Sequence, residues 1–290
     1  MEVLIAGLNS YLGRRAVGHL NQDDFHVHGI VRDLSLFESS MSETPTATLD
    51  KVDLLRKDQA YDSFRIQDGV GLSIYISHVP TLGETVNLNL ELITLKNFIE
   101  LMKVNQCNRL VYIARLMDKP YIHYIESVLV TADVDYTIVL KNLAIGKGSV
   151  LDRYMHQLIN GRYLAYDHRF AKVKFSPVSA LDLLRWIYNV NWDREFHRQT
   201  IEIGGPTTLT VQDMFRLYKK VLYPNATVKS FKLPQFVMRF IFKKLYHIHQ
   251  EDLIEFRRVM KREYPIDNRS WKNKILFVFT PLEQVILQDQ

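Results

Sequence analysis

Seven residues near the amino terminus have the types and spacing to hold an anion. Gly7-Leu8-Asn9-Ser10-Tyr11-Leu12-Gly13 follows the apolar run Val3 to Ala6 and leads into the helically spaced stretch Leu12 to Leu20. A strand-to-helix turn cradles a diphosphate when three demands are met: one residue permits the tight turn, a second lets backbone approach the phosphates, and a third lets helix and strand pack closely. Gly7 and Gly13 fill the first and third places. Ser10 stands in the second, with one small side chain at the point of approach. The amides of the helix terminus still offer an anion site. The bland alternative for this segment is a plain strand-to-helix turn.

The next chemistry lies one strand further on. Phe25 to Val31 reads as a second strand, and it ends in Arg32-Asp33. In a dinucleotide-binding fold this is where the ribose is read: an acid suits the 2′-hydroxyl of NAD, and a base suits the 2′-phosphate of NADP. Arg32 comes first, with Arg14 and Arg15 in the preceding helix, so NADP is expected in preference to NAD. The alternative for Arg32 is a solvated surface arginine. His78 ends a fourth strand, where it suits contact with ribose, acid–base work or a structural role. Lys141 suits a phosphate or an acidic substrate, or else a solvated loop edge. His26 and His28 share one face of a strand but lack a third ligand. His247 and His249 are two apart and do not share a helix face. The single cysteine, Cys107, has no evident base beside it and reads as structural.

These residues need a scaffold, and the pattern supplies one. Short apolar runs at Val3–Ala6, Phe25–Val31, Thr46–Leu49, Leu72–Ser77, Leu110–Ala114 and Tyr136–Leu140 alternate with helical spacing, notably Val86–Val104 and Tyr121–Thr131. Strands separated by helices, with few hairpin signals, predict βαβ units and a parallel sheet. Beyond Leu140 the spacing predicts helices over Val150–Ile159, Ala180–Tyr188, Val211–Leu222 with Thr210 as N-cap, and Glu251–Arg262. It predicts strands over Lys172–Phe175 and Thr200–Ile203, and another helix begins at Pro234. The expected fold is α/β: a doubly wound parallel-sheet Rossmann domain over 1–145, to which 170–190 return, and a small, mostly helical substrate-side domain over 146–169 and 191–290.

Composition bounds the partners. At 290 residues, 47% hydrophobic and 24% charged, the chain is neither disordered nor a disulfide-stapled miniprotein. A net charge of +5 suits anionic ligands, and no motif points to nucleic acid. One cysteine forms no internal disulfide, the first residues are already strand-like, and no apolar stretch reaches 18 residues, so the expected location is cytoplasmic. Leu233 to Tyr246 is aromatic and basic; it reads as a helix capping the cleft, or as a surface meeting a membrane or a protein partner.

Read together, these segments resemble the atypical short-chain dehydrogenases/reductases. Val3 to Asp33 is similar to that family's T-G-A-T-G-Y-I-G opening followed by V-R-D. Val52-Asp53-Leu54-Leu55 resembles its G-D-L segment, Ile74-Tyr75-Ile76-Ser77-His78 a Y-L-V-H strand end, Arg109 to Ile113 the R-I-V-Y-L strand, Asp135 to Val139 the D-Y-T-I-L-R-P segment, and Ile203 to Thr210 the late G-G-P-x-x-L-T. The likeness extends over most of the chain and reaches NAD(P)H-binding reductase-like and epimerase-like proteins, NmrA-type redox-sensing regulators and the nucleotide-binding accessory subunit of respiratory complex I. It implies a dinucleotide site at Gly7, Asn9, Ser10, Tyr11, Leu12, Gly13, Arg32, Asp53, Leu54, Ser77 and His78, with Asp53 and Leu54 beside the adenine.

The resemblance also implies what is missing. Ordinary members use a Ser, a Tyr and a Lys four residues after the Tyr; the Lys brings the Tyr pKa within reach of neutrality and the Ser orients a carbonyl. No Tyr of this chain has Lys at +4, and Ala114 and Arg115 stand where the serines are usual. Lys119 is the nearest substitute for the lysine. The Arg-Pro after the sixth strand is replaced by Leu140-Lys141. The expectation is therefore an NAD(P)-binding protein with a structural, sensory or non-standard redox role and no assignable catalytic residue. The alternatives are a reductase or epimerase-like enzyme acting on a small carbonyl substrate, and an accessory or regulatory module of a redox complex.

Overall fold

The computed structural model describes residues 1–20, 25–41, 45–160, 163–166, 172–225, 229–232 and 250–288. It divides into two compact units, Met1–Leu140 with Leu183–Ile201, and Lys141–Asp182 with Glu202–Gln290.

The first unit alternates strand and helix: β1 (Glu2–Ala6), α1 (Tyr11–His19), β2 (His26–Val31), α2 (Leu34–Ser40), β3 (Thr48–Lys51), α3 (Gln59–Ser63), β4 (Leu72–Ile76), α4 (Thr85–Val104), β5 (Arg109–Arg115), α5 (Ile122–Thr131) and β6 (Asp135–Lys141). With β11 (Gln199–Ile203) they form a seven-stranded sheet in the order β11-β6-β5-β4-β1-β2-β3. The pairs β1–β2, β1–β4, β2–β3 and β4–β5 are parallel. The chain runs outward from β1 through β2 to β3, then resumes on the other side of β1 with β4. That reversal opens a crevice at the carboxyl ends of β1 and β4, the place where ligands bind in open α/β sheets.

The sequence folds this way because its central strands are apolar on both faces. Every residue of β4 and β5 is buried, as a parallel sheet covered by helices requires. Helices α2 and α3 escaped the sequence reading because each is short. Both start on an aspartate N-cap: Asp33 accepts from the Leu36 amide, and Asp58 from that of Tyr61.

The second unit holds β7 (Ala144–Ile145), α6 (Val150–Asn160), β8 (Tyr163–Tyr166), β9 (Lys174–Phe175), β10 (Val178–Ser179), β12 (Leu209–Thr210), α8 (Val211–Leu222), β13 (Lys229–Lys232), α9 (Gln250–Val259), α10 (Arg269–Lys272) and α11 (Leu282–Gln288), while α7 (Ala180–Trp192) begins in it and ends in the first unit. Its core gathers Leu151, Tyr154 and Met155 of α6, Met214 and Tyr218 of α8, Phe256 of α9 and Val285 of α11. The strand expected over Lys172–Phe175 shortens to β9, because β12 offers only two residues to pair with it. Strands β8 and β13 pair in parallel over four residues; the sequence reading missed both, each being too short to show a period. The helix expected from Pro234, and with it the stretch Leu233 to Tyr246, lies outside the described residues.

Thr210 caps α8 as expected. Its hydroxyl accepts from the Asp213 amide while the Asp213 carboxylate accepts from the Thr210 amide at 3.0 Å. The Thr210 hydroxyl also donates to that carboxylate at 2.7 Å, and this bond, with the one from the Thr210 amide, holds the Asp213 carboxyl below its ordinary value of 3.8. A carboxyl depressed on folding contributes stability above its unfolded pKa and loses it as pH falls through the folded one. Thr210→Ala is therefore expected to cost about 1 kcal/mol at neutral pH, and the cost to shrink in acid. Urea melts at pH 7 and pH 3 check both.

Candidate functional site

The crevice between β1 and β4 is built around Gly7. Its φ of +82° lies in the left-handed region, and a Cβ there would sit 1.9 Å from the Ile76 carbonyl oxygen at the end of β4. Gly13 is equally constrained: a Cβ would lie 2.6 Å from both the Gly7 carbonyl oxygen and Leu8 Cα. The loop therefore folds flat against the first turn of α1, as the first and third places of the turn demand.

Ser10 is folded back into this turn. Its Oγ accepts from the Gly13 amide at 3.1 Å and donates to the Gly7 carbonyl at 3.2 Å, making it the N-cap of α1. The Arg14 amide closes on the Ser10 carbonyl. The serine thus takes one amide of the helix terminus, that of Gly13, and is itself buried. Tyr11 and Leu12 are buried behind the turn. Asn9 is exposed at its tip, with its carbonyl accepting from the Arg14 guanidinium.

At the end of β2 two neighbours separate. Asp33 is committed to capping α2, accepting from the Leu36 amide at 3.1 Å and the Ser35 hydroxyl at 2.8 Å; these bonds hold its carboxyl below the ordinary value. Arg32 is exposed. After β3, Asp53 accepts from the Leu55 amide at 2.9 Å, and the Leu54 carbonyl accepts from the Asn97 side chain at 2.6 Å. Both residues are therefore held in a fixed turn next to α4.

Ser77 and His78 follow β4. The Ser77 amide donates to the Ile113 carbonyl at 2.9 Å, continuing the pairing with β5. His78 stands before a polar cluster that the sequence reading did not find. Glu91 of α4 is fully buried; its Oε1 accepts from the Tyr112 hydroxyl at 2.6 Å, and its Oε2 lies 3.7 Å from His78 Nδ1. The Tyr75 hydroxyl lies 2.7 Å from Thr94 Oγ1 and 3.3 Å from His78 Nδ1, and the Tyr75 and Tyr112 rings are stacked. Burial, with the Glu91 charge beside it, holds both phenols well above 10, so both keep their protons. The missed signal was Glu91 itself, a carboxylate on the buried stripe Glu91, Thr94, Leu95, Phe98 of a long helix.

No family model and no curated protein matches the sequence. The structure has relatives. It aligns with the triphenylmethane reductase of a Citrobacter species complexed with NADP(H) at a TM-score of 0.69 and 14% identity, over 99% of this chain and 100% of that one. It aligns with the UDP-glucuronic acid 4-epimerase of Bacillus cereus in complex with UDP-glucuronic acid and NAD at 0.68 and 12%, over 100% and 98%. A nucleoside-diphosphate-sugar epimerase of Staphylococcus aureus aligns at 0.64 and 13%, over 99% of each. This chain has the epimerase–reductase fold.

Within that fold, the end of β5 is closed by a clamp. Arg115 Nε donates to Asp118 at 2.7 Å with both residues buried, and Asp118 also accepts from the Leu82 amide at 3.0 Å and the Thr81 hydroxyl at 3.3 Å. The two residues after Ile113 thus serve packing and loop anchoring: Ala114 is buried, and Arg115 holds Asp118, which anchors the loop after β4. Lys119 is exposed on the 3₁₀ turn that follows.

Lys141 is neither a phosphate ligand nor solvated. Its ammonium is buried and donates to Glu255 of α9 at 2.7 and 2.8 Å. Cys107 is buried between the Ser73 hydroxyl and the Arg109 carbonyl, and burial pushes its thiol up. His28 and His26 both turn to Glu2, at 2.7 and 3.5 Å. Among the described residues no cluster could hold a metal ion, and no helix is long and apolar enough to cross a membrane. His247 and His249 lie outside them.

Proposed function

We propose that the chain binds a nicotinamide dinucleotide, NADP in preference to NAD, and uses it in a structural, sensory or non-standard redox role. The observation that carries this reading is the glycine turn: Gly7 in the left-handed region against the end of β4, packed on Gly13 at the amino terminus of α1, beside the crevice where the strand order reverses. The complexes of the reductase with NADP(H) and of the epimerase with NAD support it. The diphosphate would lie over Gly7, Asn9, Ser10, Tyr11, Leu12 and Gly13, drawn by the helix terminus. The Ser10 hydroxyl, turned back to cap the helix, supports room for it there. Asp53 and Leu54 would border the adenine, and Ser77 and His78 the nicotinamide-side ribose. The bound group would supply hydride exchange.

The choice of NADP follows from Arg32. Asp33 turns its carboxylate to the α2 cap, and the exposed Arg32 guanidinium stands at the strand end as the group suited to a 2′-phosphate. Calorimetric titration of the purified protein is expected to show NADPH binding about tenfold tighter than NADH, and Arg32→Ser to erase the difference. No heat with any of the four dinucleotides would refute the reading.

A second reading, a reductase or epimerase-like enzyme acting on a small carbonyl compound, is favoured by the cluster behind His78. A substrate screen following the loss of NADPH absorbance separates it from a purely sensory role.

A further inference from the structure

We propose that His78 is the proton acceptor of this site, taking a proton from a substrate hydroxyl at Nε2, with Glu91 and Tyr75 as positioning residues. The proposal rests on the dinucleotide reading for its chemistry, but its geometry stands alone.

Counting protons through the cluster fixes the ring. Thr94 has one hydroxyl proton, and its oxygen lies 2.9 Å from the Leu90 carbonyl and 3.1 Å from that of Glu91. With that proton given to the backbone, Thr94 Oγ1 accepts, so the Tyr75 hydroxyl donates to it. The Tyr112 proton is given to Glu91 Oε1. His78 Nδ1 then faces two acceptors, the Tyr75 oxygen at 3.3 Å and the buried Glu91 Oε2 at 3.7 Å, the latter with no hydrogen-bond partner. Nδ1 therefore carries the ring proton and Nε2 holds the lone pair. A buried carboxylate behind a partly exposed imidazole is the arrangement that orients a general base and stabilises the cation it becomes.

The step balances without further reagents. The substrate O–H bond breaks, an N–H bond forms at Nε2, the imidazole becomes an imidazolium facing the Glu91 carboxylate, and the substrate oxygen keeps the electron pair as an alkoxide. An alkoxide is the form of an alcohol from which hydride departs most readily. The substrate class is thus a small secondary alcohol, or its carbonyl partner in the reverse direction. His78 and Glu91 would do here what the Tyr–Lys pair does in ordinary members of the family, from the neighbouring strand.

The test reads the tautomer in protein without dinucleotide. Long-range proton–nitrogen spectra of uniformly ¹⁵N-labelled protein, recorded where the ring is neutral, are expected to show the His78 proton on Nδ1, the signal being assigned by its loss in His78→Gln. In Glu91→Gln the carboxamide oxygen keeps Tyr112 and its NH₂ turns to Nδ1, so the proton is expected to move to Nε2. Should Glu91→Gln fail to fold, Tyr75→Phe, which leaves the carboxylate in place, is expected to retain the Nδ1–H form, and an Nε2–H ring in that variant overturns the proposal. An Nε2–H ring in the unsubstituted protein, or an unchanged tautomer in Glu91→Gln, overturns the proposal. Failure to bind dinucleotide by calorimetry would instead overturn the reading beneath it, with the tautomer result intact.

Discussion

Gly7→Ala is expected to destabilise the protein by about 3 kcal/mol or more and to abolish dinucleotide binding. Two effects add. An alanine in the left-handed region costs about 1–2 kcal/mol from its own backbone, and here φ is +82°. Its Cβ would also lie 1.9 Å from the Ile76 carbonyl oxygen. That oxygen cannot withdraw easily, because β4 is paired in parallel on both sides, with β1 and with β5. The loop must therefore lift from the sheet and carry the amino terminus of α1 with it. Gly18→Ala is the control within the same helix. Nothing lies within 4 Å of a Cβ at Gly18, so that substitution is expected to stabilise by about 0.5–1 kcal/mol. Urea melts compare the two, and a Gly7→Ala protein within 1 kcal/mol of the unsubstituted one would count against the geometry of the turn.

Lys141→Ala carries the other large expected effect, a loss of about 3–5 kcal/mol. The ammonium and the Glu255 carboxylate are both buried, and removing one leaves the other charged, desolvated and without its partner. Desolvation already offsets most of the attraction within the pair, so replacing both partners by apolar groups of similar size leaves no orphan. Lys141→Met with Glu255→Leu is expected to recover most of the stability that either single substitution loses. Denaturant melts of the two single variants and the double variant form the cycle that measures this. Additive losses, with the double variant worst of all, would mean that the pair is not the isolated buried couple the structure shows.

The turn and the sheet were legible in the sequence because each rests on a local demand. Gly7 and Gly13 are there because no side chain fits at either place, and a strand covered on both faces must be apolar along its whole length. The place of Arg32, exposed immediately after such a strand, was legible for the same reason. The buried polar pairs were not legible. Lys141 meets Glu255 across 114 positions, and Tyr112 meets Glu91 across 21, so no spacing rule connects them. Lys141, read as a ligand or a solvated loop residue, is a buried cation because α9 brings a carboxylate to it. Arg115, legible only as a departure from the usual serine, becomes a clamp because Asp118 folds back three residues later. Ser10 shows the opposite case: its place in the turn was readable, but the direction of its hydroxyl, back into the helix cap, was settled only by the fold.

The claim on which the functional reading depends is that the diphosphate lies over the glycine turn. Ala6-Gly7 is the sole Ala–Gly step in the sequence, so protein made with ¹³C-carbonyl alanine and ¹⁵N-glycine yields one doubly selected amide signal, that of Gly7. Titration with NADPH is expected to move that signal progressively to a limit, with the same saturation curve as the calorimetric heat. A Gly7 signal that stays in place while NADPH binds and saturates would put the dinucleotide elsewhere and contradict the account.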